Sequence, residues 1–194
     1  MDEAANETNE QLQRLAAELE TARLRAHQLA AGTNDTLWVE RPHEGKWSMS
    51  ECITHLTLTT RGYLQLIRQA LADGRELPPI THGRYRHDFI GWLLCKGQEP
   101  PVRLRIKTTA PFVPDGARPR AATMSEFDTS QNELMALVLG SVDVDLGKLQ
   151  ITSPFDSRLH YNLYSGYAVL AAHQRRHLWQ AERAAEELAA RGPD

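Results

Sequence analysis

The chain has 194 residues, 22 basic against 25 acidic side chains, a formal net charge of −3 and 41% hydrophobic residues. That length supports one well-buried core, so a single domain over residues 1–194 is expected, and the charge balance gives no reason to expect nucleic acid as a partner. No apolar run reaches the ~18–20 residues that span a bilayer, Met1–Gln11 is too polar for a secretory leader, and Cys52 and Cys95 alone make no disulfide framework.

A small-molecule partner and a cytoplasmic location are the expectations left by those exclusions.

From Glu7 to Ala31, Leu12, Leu15, Leu19, Ala22, Ala26 and Leu29 recur at intervals of three and four, which predicts an amphipathic helix stopped at Gly32 and Asn34. A second helix opens at Ser48-Met49-Ser50-Glu51, a capping box in which the serine hydroxyl accepts from the glutamate amide while the carboxylate reaches back. Trp47 and Cys52 flank that start as a hydrophobic staple. The stripe runs through Leu56, Tyr63, Ile67 and Leu71 to a stop at Asp73-Gly74.

Residues 73–122 differ in character. Pro78-Pro79, Pro100-Pro101, Pro111, Pro114 and Pro119 rule out a long regular helix, and one short helix fits over Arg86–Cys95. This segment reads as a crossover that covers one end of a bundle and supplies the substrate-facing wall. Thr123-Met124-Ser125-Glu126 repeats the capping-box pattern and predicts the start of a third long helix, ending near Gly140. After a connection over Asp143–His160, a fourth runs from an Asn162 cap to Ala190, with Gly192-Pro193 as its stop. Strand patterns are scarce, so the fold class is all-α, a four-helix bundle with a long proline-rich crossover between helices 2 and 3.

The chemistry concentrates in His173-Gln174-Arg175-Arg176-His177. Imidazoles four residues apart rise about 6 Å along a helix and share one face, where neutral rings can chelate a divalent metal. His55 lies in the apolar stripe of the second helix, and if it faces the pair, the result is a three-histidine site with open coordination positions. Gly166, Ala181 and Ala184 leave room beside the imidazoles. The competing account is three core histidines satisfied by local hydrogen bonds. Two better-known metal arrangements fail: a zincin needs Glu where Gln174 stands, and a di-iron bundle needs two Glu-x-x-His motifs.

Cys52 reads chiefly as a small buried apolar side chain, with a fourth ligand or reactive thiol as the alternatives. His27, His43, His82, His87 and His160 read as solvated, as do Arg175 and Arg176. Trp47, Trp92 and Trp179 read as packing residues.

Arg41-Pro42, Gly45-Lys46-Trp47-Ser48 and Glu51-Cys52-Ile53-Thr54-His55-Leu56, followed by Pro154-Phe155 and Ala172-His173-Gln174-Arg175-Arg176-His177-Leu178-Trp179-Gln180, resemble the motifs of the DinB-like superfamily in their expected order. The stretch Lys107–Pro114 is similar too. Asp156-Ser157, where relatives often carry glycine, departs from the pattern in a loop. The resemblance implies an up-down-down-up bundle, one divalent metal (zinc or nickel) on His55, His173 and His177, and frequent homodimers. It further implies thiol-dependent S-transfer or isomerisation with a low-molecular-weight thiol such as bacillithiol, mycothiol or glutathione as cosubstrate. A thiol bound at such a metal is held as its thiolate, whereas a water there would permit hydrolysis. The alternative is a binding or stress-response protein whose metal is structural or whose site is not used.

Overall fold

The computed structural model describes residues 3–77, 84–101, 108–142 and 144–191. Pro78, Pro79, His82, Lys107, Asp143 and the expected stop at Gly192-Pro193 lie outside the described residues. Six α-helices form: α1 (Glu3–Ala31), α2 (Asp35–Val39), α3 (Met49–Arg75), α4 (Phe89–Gln98), α5 (Arg120–Leu139) and α6 (Leu163–Ala189). A 3-10 turn at Ala110–Phe112 and two short strands, β1 (Gln150–Thr152) and β2 (His160–Asn162), complete the order. The fold is all-α, as expected.

α1, α3, α5 and α6 are the long helices, and cross-helix pairs give their directions. Gln11 meets Tyr164, Glu18 meets Arg175 and Arg25 meets Glu182, so α1 and α6 run together. Arg61–Glu126 and Arg68–Glu133 likewise align α3 with α5. Contacts of α6 with α3 run in reverse order, from His173 on His55 to Tyr161 at its entry on Tyr63. The course is therefore up-down-down-up. α1 and α3 each pack on both α5 and α6, which places them on opposite corners.

The apolar stripes fill the middle in two clusters. One gathers Leu12, Leu15, Leu19, Tyr63, Ile67 and Leu134, with the β1–β2 hairpin against it. The other gathers Ala22, Ala26, Trp38, Ile53, Leu56, Phe127 and Leu178 at the end where α3 starts.

Helix starts follow local chemistry. The Ser48–Glu51 capping box is present with both reciprocal bonds, and Arg41 clasps the same Glu51 carboxylate. Asn162 accepts from the Ser165 amide and opens α6 where its side chain predicts. The second capping box does not form. α5 begins at Arg120 behind Pro119, and Thr123, already inside the helix, turns its hydroxyl back to the Pro119 carbonyl at 3.1 Å. Proline fixes a helix-ready φ and needs no partner for its own nitrogen, so it sets the cap four residues earlier, at Pro119 instead of Thr123. Glu126 instead pairs with Arg61 and Arg118.

The crossover helix is shifted as well: Asp88 accepts from the Gly91 amide at 2.7 Å and starts α4 at Phe89 rather than at Arg86. Trp92 is not a packing residue. It stands 47% exposed beside Phe89 on the outer face of α4. Gly166 makes room for the hairpin rather than for a pocket, since a Cβ there would sit 2.5 Å from the Ile151 side chain.

Candidate metal centre

α3 and α6 run antiparallel through the second cluster, and this brings His55 against His173 and His177. Each ring offers one nitrogen, and all three ligand atoms lie within 4.8 Å of one another. Ring centroids are separated by 5.0 Å for His55–His173, 4.3 Å for His55–His177 and 4.5 Å for His173–His177. All three are buried, His55 completely. Among the described residues this is the one group of three or more histidine, cysteine or carboxylate side chains that could hold a metal ion.

The crossover supplies the outer partners. The Phe112 carbonyl lies 2.6 Å from His55 Nδ1, and the Gln98 Oε1 lies 2.8 Å from His173 Nδ1. A carbonyl oxygen only accepts, so each Nδ1 carries its proton and each Nε2 is left with a lone pair. Those two Nε2 atoms face each other at 3.0 Å. Neither has a proton to give, so the pair lacks a hydrogen bond and calls for a cation. Two neutral imidazole nitrogens with facing lone pairs are donors that would suit a divalent metal. His177 Nδ1 is buried without a hydrogen-bond partner among the described residues. Local hydrogen bonds among the described residues therefore leave part of this cluster without a partner.

Burial keeps the rings neutral. It pushes His55 down to about 4, against the partial lift from the Phe112 carbonyl. It holds His173 and His177 well below the ordinary imidazole range, with the other histidines and the Arg176 guanidinium adding to the effect. Neutral imidazole is the form that ligates metals.

The walls are aromatic. The Trp47 indole packs 4.9 Å from the His55 ring and 5.9 Å from His177, and Phe155 packs 5.7 Å from His173. Phe112 stacks against Phe155 at 4.5 Å. Gly62 lets Phe112 seat there, because a Cβ at position 62 would lie 2.8 Å from its ring. Trp47 and Phe155 both fall in the stretches that carried the resemblance. Phe112 falls in the similar stretch Lys107–Pro114, whereas Gln98 left no sequence signal.

Several other residues are placed as follows. Cys52 sits 2% exposed in the apolar cluster, its thiol pushed up to about 12 by burial, and it is not part of the convergent set. Arg175 and Arg176 are not solvated side chains. Arg175 is held by Glu18 and Glu99, and Arg176 is 6% exposed with Nη1 3.3 Å from the Gly97 carbonyl. His27 and His43 are exposed and pair with Asp128 and Glu187; His87 and His160 are exposed too. Asp156 accepts from Arg158 in the β1–β2 loop. No helix among the described residues is long and apolar enough to cross a membrane.

Comparison with curated proteins and with solved structures gives no significant match. A family profile does match: that of the DinB superfamily, over residues 18–181, a span that includes all three histidines, the whole of α3 and most of α6. With most of the sequence covered by that profile, the chain belongs to the DinB superfamily.

Proposed function

We propose that the protein is a metal-dependent enzyme that transfers the sulfur of a low-molecular-weight thiol to small electrophiles, with His55, His173 and His177 holding one zinc or nickel ion. The observation that carries this reading is the pair of Nε2 lone pairs set face to face at 3.0 Å by the Phe112 and Gln98 acceptors. Three neutral ligands leave the ion's charge uncompensated and positions free for a substrate, the pattern of catalytic rather than structural sites. A divalent ion there supplies the positive charge that stabilises a thiol cosubstrate as its nucleophilic thiolate at neutral pH.

The chain's own residues do the rest. Trp47, Phe112 and Phe155 wall off the histidines and limit water. The Arg176 guanidinium adds fixed positive charge beside His173 and His177, which favours an anionic cosubstrate. Among the described residues no carboxylate belongs to the convergent set to serve as a general base for water activation, and this favours thiol transfer over hydrolysis. In the test reaction, thiolate sulfur attacks the chlorine-bearing carbon of a chlorodinitrobenzene. A carbon–sulfur bond forms, the carbon–chlorine bond breaks, chloride leaves and the thiol proton passes to solvent. Zinc- or nickel-loaded protein is expected to accelerate thioether formation with one of glutathione, mycothiol or bacillithiol, and His55→Ala to abolish it. Retention of both metal and activity by His55→Ala would sink the proposal.

The near-complete burial of all three rings favours a second reading, a structural metal in a binding or stress-response protein. A structural zinc normally has four protein ligands, and Cys52 lies outside the convergent set; the second reading expects metal removal to lower the melting temperature with thiol transfer absent, whereas the enzyme reading expects transfer. A cytoplasmic location and a homodimer belong to the proposal too, the latter checked by light scattering.

A further inference from the structure

α4 reaches the metal centre through three consecutive residues at its C-terminal end. The Gly97 carbonyl accepts from Arg176, Gln98 accepts from His173 Nδ1, and Glu99 takes Arg175 in two short contacts of 3.1 and 2.5 Å. All the partners lie on α6 between the first metal ligand of its motif and the second. Glu18 on α1 holds the same Arg175 from the other side at 2.5 Å. The outer face of α4 leaves Phe89, Trp92 and Leu93 exposed. Docking of this helix therefore depends heavily on its inner contacts, and one of those is made to a candidate ligand.

We propose that Gln98 is a positioning residue of the metal centre, which locks His173 in the tautomer that presents Nε2 and thereby couples metal loading to the docking of α4. The inference rests on the metal reading above. A metal drawing electron density from Nε2 makes the opposite N–H a stronger donor, so its acceptor is held more tightly once the ion is bound. Linkage then runs both ways: an acceptor that orients the ring raises metal affinity, and the ion stabilises the helix that brings the acceptor. Gln98 is half-buried at the end of a helix, so its replacement leaves the bundle core untouched.

The test compares zinc affinity, by competition with a chromophoric chelator, in wild type, Gln98→Leu and Gln98→Glu. Amide hydrogen exchange over Phe89–Gln98 is followed with and without zinc, and melting of the metal-free proteins controls for folding. Gln98→Leu cannot accept and should weaken zinc binding about 10- to 100-fold. Gln98→Glu, a stronger acceptor, should bind at least as tightly as wild type, a rescue that a merely structural role would not give. Zinc should slow exchange across α4 in wild type and in Gln98→Glu but not in Gln98→Leu. Equal affinity in wild type and Gln98→Leu, or α4 exchange in wild type indifferent to zinc, overturns the proposal while the metal centre stands. Wild type that binds neither zinc nor nickel overturns the metal reading, and this inference with it.

Discussion

Two buried polar constellations sit side by side on α6, and they are built on opposite principles. Gln174 faces α5 and closes a reciprocal amide pair with Gln131, at 3.0 and 2.6 Å, with a further bond from Gln131 to the Leu19 carbonyl. His173 and His177 flank it in sequence and face α3, where two acceptors turn lone pairs toward one point. The amide pair places three of its four N–H donors on protein acceptors and ties three helices together. The histidines are arranged so that protein alone does not complete them. A buried polar group that is satisfied serves the fold, and one left unsatisfied in company marks a place for something else.

The comparison can be broken by acid. In metal-free protein, burial holds His55 near about 4 against an ordinary value of 6.5, and His173 and His177 are lowered too. The folded chain then binds fewer protons than the unfolded one, so stability is complete above about pH 6.5 and falls as pH drops toward 4. His55 alone accounts for a loss on the order of 3 kcal/mol. Denaturant unfolding across that range should record it, and bound metal should shift it.

The amide pair predicts no such pH dependence, because neither side chain titrates. Gln174→Leu strands the buried Gln131 amide and should cost about 1–3 kcal/mol at neutral pH. Replacing both glutamines with leucine should recover much of that loss in the same unfolding measurement, with metal content unchanged. Gly62→Ala sharpens the contrast from the other side. The added methyl displaces the Phe112 ring, and with it the carbonyl that orients His55, at a cost of about 1–2 kcal/mol and with weaker metal binding on titration. The smallest effect is expected away from both constellations, where Ser48→Ala removes the α3 cap for about 1 kcal/mol and leaves metal stoichiometry alone.

Much of this was legible in the residues, for local reasons. Three-and-four spacing located the long helices, and Ser48 and Asn162 act within a few residues of themselves. His55 could be placed opposite His173 and His177 because all three lie on apolar faces of helices. Thr123 misled because a capping pattern competes with a proline upstream, and Pro119 wins. The hairpin escaped because strands of three residues carry no alternation worth reading. α2, five residues long around buried Trp38, escaped for a similar reason. Gln98 and Phe112 act on histidines 75 and 57 residues away, one through an amide and one through its backbone. Such partners have no spacing to recognise, so the ligands were visible and what orients them was not.

The central claim is that the three histidines hold a metal, and metal content measures it most directly. Natively purified protein should carry close to one zinc or nickel ion per chain by elemental analysis, and the His173→Ala/His177→Ala variant, still folded, should carry none. Folded wild type that is metal-free and takes up neither ion when it is added would contradict the account.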